Sequence, residues 1–222
     1  MDIEDNIRNV EQRIAGACER AGRSPEEVTL VAVTKTVEPP AIEAAFNAGI
    51  RNFGENRVQE AKSKLEPLKD FRPRMTWHMV GHIQTNKAKT ALAIFDIIHS
   101  VDSLRLAKIL NEHSEAKLPV LIEVNVAAET TKNGFLLHEV DEAVREIGRL
   151  PKLELQGLMT VAPLISDAEE VRPVFRRLRY LGKALGLKHL SMGMTDDFEV
   201  AIEEGATMVR IGRLIFGERK TP

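Results

Sequence analysis

The sequence predicts an α/β protein: a single (β/α)8 barrel domain spanning residues 1–222. Three observations predict it. Short apolar runs alternate with helical stretches across brief connections, the pattern of parallel βαβ units. Several of those runs are apolar at consecutive positions, as strands covered on both faces require. Their number, eight, favours a closed barrel over an open doubly wound sheet.

Each element has a local reason. A helix at about 2–22 comes first, with Ile3, Ile7, Val10, Ile14 and Ala17 spaced by three and four, ending near Gly22. Ser24, Pro25 and Glu27 then have the spacing of a capped turn. The first strand is Leu30-Val31-Ala32-Val33-Thr34-Lys35, followed by a helix over about 40–48 that Gly49 stops. Asn52 to Asn56 is a weak second strand, with a helix reaching about residue 69. Thr76 to Val80 is the third, with a short helix near 86–93. Phe95 to Val101 is the fourth, and Asp102 is expected to cap the helix that carries Leu106 and Leu110. Pro119 to Asn125 is the fifth, before a helix with Leu136, Val140, Val144 and Ile147. Leu153 to Val161 is the sixth, and Ser166-Asp167-Ala168-Glu169 reads as a capping box for a helix through Leu185. His189 to Gly193 and Met208 to Gly212 are the seventh and eighth, with a helix over about 197–204 between them.

Composition narrows the function. The chain has 222 residues, 43% of them hydrophobic, enough for a sizeable core. Its 31 Lys and Arg balance 33 Asp and Glu, so there is no global pull on nucleic acid or anionic membrane. No apolar stretch approaches the ~18 residues of a membrane span. The acidic start, Met1-Asp2-Ile3-Glu4-Asp5, lacks the pattern of a signal peptide. Cys18 is the single cysteine, so no internal disulfide forms and the cytoplasm is the expected compartment.

In this architecture chemistry sits at the carboxyl ends of the strands. Lys35 closes the first strand on the face it shares with Val31 and Val33. Such a lysine either snorkels to water or, if desolvated, offers a neutral amine able to form a Schiff base with an aldehyde. Arg210 lies on the same face of the eighth strand as Met208 and Gly212, and barrel closure makes the first and eighth strands neighbours. The competing role for Arg210 is an ordinary pairing with a carboxylate, for which Glu123 is available. Ser191-Met192-Gly193 and Gly212-Arg213 end the last two strands, where this architecture often binds phosphate, although both glycines also suit plain turns. Together these residues describe a site for a phosphorylated aldehyde. The six histidines are scattered, and His78 and His82 straddle a strand end, so no metal site is expected. Gly81 to Lys87 lacks the second glycine and hydroxyl residue of a Walker A loop. The run Arg172, Arg176, Arg177 and Arg179 reads as a solvated helix face, and Cys18 as half-buried and inert.

Ordered blocks from Leu30 to about Arg219 carry a family resemblance. They include Val31-Ala32-Val33-Thr34-Lys35, Phe53-Gly54-Glu55-Asn56-Arg57-Val58-Gln59-Glu60 and Trp77-His78-Met79-Val80-Gly81-His82-Ile83-Gln84-Thr85-Asn86-Lys87. Further blocks are Glu123-Val124-Asn125, Lys132-Asn133-Gly134-Phe135, Gly157-Leu158-Met159-Thr160, Leu190-Ser191-Met192-Gly193-Met194-Thr195, Val209-Arg210-Ile211-Gly212 and Ile215-Phe216-Gly217. The sequence resembles the pyridoxal phosphate homeostasis protein family. The resemblance implies a barrel like the N-terminal domain of alanine racemase (PLP fold type III without the second domain). It implies pyridoxal 5′-phosphate (PLP, the vitamin B6 cofactor) covalently on Lys35 as a Schiff base, with Ser191, Met192, Gly193, Gly212 and Arg213 at the phosphate. Arg210 would face the pyridine nitrogen and Asn56 would line the ring. Relatives often have Thr or Ser where this chain has Arg213, so only a backbone contact carries over there.

An arginine at the pyridine nitrogen blunts the electron sink that a carboxylate would strengthen. The racemases add a tyrosine base from a second domain. The only tyrosine in this chain, Tyr180, lies in a predicted helix, and ten residues follow Gly212. The expected function is therefore PLP binding in homeostasis without substantial catalysis and with no catalytic residue assigned. The expected partners are PLP and, transiently, apo PLP-dependent enzymes, and the expected state is a monomer. The alternatives are a compact PLP-dependent racemase or decarboxylase with His78 or His82 as base, and a Schiff-base aldolase.

Overall fold

A computed structural model describes residues 2–164 and 167–218. Eight parallel strands close in sequence order into a barrel: β1 (Thr29–Val33), β2 (Asn52–Glu55), β3 (Thr76–Met79), β4 (Ile97–Val101), β5 (Leu118–Glu123), β6 (Leu153–Met159), β7 (His189–Met194) and β8 (Met208–Ile211). Pairing of β1 with β8, Val31 opposite Arg210, closes the ring. The helices are α1 (Ile3–Arg20), α2 (Pro39–Asn47), α3 (Val58–Lys64), α4 (Ala88–Leu92), α5 (Leu104–His113), α6 (Val140–Gly148), α7 (Arg172–Ala184), α8 (Phe198–Glu203) and α9 (Arg213–Phe216).

The main core lies between strands and helices. Trp77, Phe53, Phe175 and Phe198 are wholly buried there, and α1 adds Ile7, Val10, Ile14 and Ala17 to it. Burying side chains of this size stabilises by roughly 1.5–3 kcal/mol each. A second, smaller cluster of Ile97, Leu121, Met159 and Met208 fills part of the barrel lumen. The expected reciprocal cap at Ser24 and Glu27 is present around the turn Pro25–Glu27.

Several expectations are corrected locally. The cap of α5 is Ser103, whose Oγ accepts from the Leu106 N–H at 3.2 Å; Asp102 instead turns to His82 at 2.6 Å. The arginines of α7 do not simply face solvent. Arg172 pairs with Glu169, Glu203 and Glu204, while Arg176 and Arg179 pair with Glu204. Arg20 also reaches Glu203, so one charged cluster ties α1, α7 and α8 together. Cys18 is fully rather than half buried, and burial pushes its thiol pKa up. The capping box expected at Ser166 lies outside the described residues, although Asp167 accepts from the Glu169 N–H. The α9 turn was not foreseen, because four residues leave no periodicity to detect.

Candidate functional site

A cavity of about 700 Å³ opens at the carboxyl end of the barrel. That volume is within the ~300–1,000 Å³ common for small-molecule sites. Lys35, Asn56, Arg210, Gly212 and Arg213 all line it, together with Val33, Val80, Lys132, Val161, Met194, Thr195 and Asp196. Five residues singled out in the sequence therefore converge from the ends of β1, β2 and β8.

Strand alternation explains Lys35. Val31 and Val33 point inward against the space left by Gly54, and Lys35 continues that face into the cavity mouth. The backbone on either side is clamped. Lys64 of α3 donates to the Thr34 carbonyl at 2.7 Å and pairs with Glu55 at 2.7 Å and Glu60 at 3.0 Å. The Thr34 hydroxyl donates to Glu55 at 2.6 Å, and the Thr36 N–H donates to Glu60. Thr36 has φ +64°, an uncommon conformation for a β-branched residue, which this clamp holds. Sequence inspection missed Glu55, Glu60 and Lys64. The available signal was the i, i+4 spacing of Glu60 and Lys64 just after the block containing Asn56.

Arg210 is buried, with register partner Val31 rather than Lys35, so it sits below the lysine on the cavity wall. It donates to Ser191 Oγ at 2.7 Å and to the Thr160 carbonyl at 2.8 Å. No direct pair with Glu123 forms among the described residues. Burial lowers the Arg210 pKa to about 10, opposed by the fields of Asp197 and Glu123. It therefore remains cationic at neutral pH. Burial also pushes the Glu123 carboxyl up to about 7, with Asp102 adding to the rise.

Ser191-Met192-Gly193, expected at the phosphate, lie apart from the residues that line the cavity. Strand β7 continues to Met194, and none of these three residues is among those lining the cavity. Ser191 is buried beneath the cavity, and Met192 packs in the core between strands and helices. Gly193, at φ +91°, irregularises the β7–β8 pairing and lets α8 approach; a Cβ there would stand 2.5 Å from that of Ala201. The residues that reach the cavity at and just beyond the end of β7 are Met194, Thr195 and Asp196. Asp197 accepts from the Met194 N–H at 2.5 Å and fixes this turn. After β8, Gly212 passes close to β1, with its Cβ position 3.0 Å from the Val33 carbonyl. Arg213 pairs with Asp196, joining the loops that follow β7 and β8 across the mouth.

The other candidates fall elsewhere. His78 is buried in the lumen, whereas His82 pairs with Asp102 outside it. Tyr180 is 59% exposed on α7 and borders a separate surface depression. No group of three metal-ligating side chains occurs among the described residues. None of their helices is long and apolar enough to cross a membrane.

An eight-stranded barrel with a lysine at the end of β1 and an arginine in β8 defines a class. The family model for the alanine racemase N-terminal domain matches residues 3–220. A pyridoxal phosphate homeostasis protein of Aquifex aeolicus is 44% identical over 229 residues, covering 99% of this chain and 100% of its own. PipY of Synechococcus elongatus, solved with PLP bound, is 35% identical with a TM-score of 0.82, covering 94% of this chain and all of its own. Alanine racemase of Corynebacterium glutamicum shares the fold, with a TM-score of 0.68 at 18% identity over 96% of this chain and 61% of that one. The chain belongs to the pyridoxal phosphate homeostasis protein family, within the alanine racemase N-terminal domain class.

Proposed function

We propose that residues 1–222 form one PLP-binding barrel that holds the cofactor covalently on Lys35 and serves PLP homeostasis without substantial catalysis. One observation carries this reading: Lys35, Arg210 and the Gly212-Arg213 turn line a single cavity. The donor set fits the group. A primary amine suits the aldehyde, and the backbone of the turns after β7 and β8 suits the phosphate. Apolar Val33, Val80 and Val161 beside Asn56 suit a flat ring. PLP supplies an aldehyde that condenses with an amine, losing water.

The chain's own residues do the rest. Lys64, Glu55 and Glu60 orient the backbone that carries Lys35. Arg210 presents a fixed cation where a carboxylate would strengthen electron withdrawal. Gly212 and Arg213 act at the mouth, whereas Ser191 acts from beneath it through Arg210, Met192 packs in the outer core and Gly193 seats α8. The burial of His78 and the placement of Tyr180 count against either as a base at the cavity. Membership of a homeostasis family supports a carrier that buffers free PLP and passes it transiently to apo-enzymes. We further propose a cytoplasmic monomer, its one thiol buried and free.

Visible absorption of the PLP-loaded protein beside its Lys35→Ala variant tests the reading. The wild type is expected to be yellow and the variant colourless. A variant that keeps the colour overturns Lys35 as anchor, and a wild type that takes up no PLP overturns the whole reading. Turnover of an amino acid at ~1 s⁻¹ or more would place the protein among ordinary enzymes.

A further inference from the structure

A connected series of polar side chains crosses the lumen where a barrel of this kind usually packs aliphatic layers. His99 lies at the centre, wholly buried, with Nδ1 2.8 Å from Ser191 Oγ and Nε2 2.8 Å from His78 Nδ1. His78 Nε2 is in turn 3.0 Å from Asn52 Oδ1. At the other end Ser191 meets Arg210. The series runs from Asn52, the first residue of β2, up to the cavity wall.

Chemistry fixes its direction. A guanidinium can only donate, so the Ser191 oxygen accepts from Arg210. The Ser191 hydroxyl hydrogen then points to its other partner, His99 Nδ1, which must be an unprotonated acceptor. His99 therefore carries its proton on Nε2 and donates to His78 Nδ1. By the same logic His78 carries its proton on Nε2 and donates to the Asn52 carbonyl oxygen. Each of these contacts then pairs one donor with one acceptor, and all the dipoles point the same way. Reversing the series would set the Arg210 and His99 donors against the same oxygen and leave the Ser191 proton without either partner.

We propose that Asn52, His78, His99 and Ser191 form a one-way hydrogen-bond relay that positions Arg210 and holds it as the cationic donor of the PLP cavity. The four are positioning residues acting through Arg210, and their role rests on the proposed PLP function. Aligned hydrogen bonds polarise one another, so the relay makes Ser191 Oγ a stronger acceptor than an isolated serine. It also fixes the guanidinium plane with the Thr160 carbonyl as second support. Burial of both imidazoles disfavours their cations, which keeps the relay neutral. Only Arg210 then contributes a charge at its upper end.

Histidine ¹⁵N NMR of the PLP-free wild type reads the relay without the cofactor. At neutral pH both His78 and His99 are expected as the neutral Nε2–H tautomer. An Nδ1–H tautomer or an imidazolium at either would overturn the proposal. PLP titration of His99→Leu, His99→Gln and Ser191→Ala gives the second measurement. The glutamine amide offers one acceptor and one donor and can stand in for the imidazole. Binding should weaken about tenfold or more in H99L and S191A, the scale of a hydrogen bond to a charged group, with a shifted visible band. H99Q should recover most of the affinity. Wild-type affinity and band position in H99L and S191A would overturn the relay while leaving the PLP reading intact. A wild type that binds no PLP removes the functional reading and the proposed role together, and the tautomer result shows which part of the structure survives.

Discussion

Glu123 ends β5 on the luminal face, in the same alternation as the buried Leu121, and is itself largely buried. Desolvation and then Asp102 raise its pKa to about 7, against a usual value of 4.5. Folding therefore favours the protonated acid, and the stabilisation it gives is complete below pH 4.5 and lost as pH rises through 7. Glu123→Gln replaces the acid with a neutral group of the same shape. At pH 8 the variant is expected to be more stable than wild type by about 3 kcal/mol, with the difference closing toward pH 4. Denaturant midpoints at the two pH values check this. The sequence suggested Glu123 as a direct partner of Arg210, whereas the two meet only through their fields. That distinction depends on side-chain placement across the barrel, which strand alternation alone does not supply.

The join between β7 and α8 shows how an element boundary sets the site. Gly193 takes a left-handed conformation and admits the backbone of Phe198, which lies 2.9 Å from the position of an added Cβ. Gly193→Ala combines conformational strain with a collision. It is expected to destabilise the fold by about 2–4 kcal/mol and to disturb the Met194-Thr195-Asp196 turn at the cavity. Chemical denaturation beside PLP uptake measures both effects; unchanged stability would show that α8 can move away at no cost. The sequence pattern ends this strand at Gly193, one residue short of its observed end at Met194. The boundary was misplaced because the irregular β7–β8 pairing is invisible to a period-two pattern.

At the scale of the whole molecule, the luminal histidines contribute to acid sensitivity. Burial lowers the His78 pKa to about 4 from the usual 6.5, with Asp96 opposing. His99 moves in the same direction through burial, then His78, Arg210 and His189. Between pH 6.5 and 4 the unfolded chain takes up protons at these positions that the folded barrel refuses. Their contribution to stability is therefore present above 6.5 and is lost as pH falls toward 4, about 3 kcal/mol for His78 alone. Urea titrations of E123Q, in which the opposing Glu123 titration is absent, should show stability falling over this window. A flat profile would place an imidazolium in the lumen.

The order and type of all eight strands, the α1 stripe and the Ser24 cap were legible in the sequence, because hydrophobic period and capping chemistry act over a few residues. The convergence of Lys35, Arg210, Gly212 and Arg213 was legible too, once barrel closure brought β1 beside β8, whereas Asn56 came only with the family resemblance. Only the tertiary structure revealed the clamp of Glu55, Glu60 and Lys64 on the Lys35 backbone, and the luminal series from Asn52 to Arg210. Residues 52, 78, 99, 191 and 210 lie on five different strands. Nothing local relates them: their hydrogen bonds exist only because a closed sheet turns one face of every strand toward a common axis.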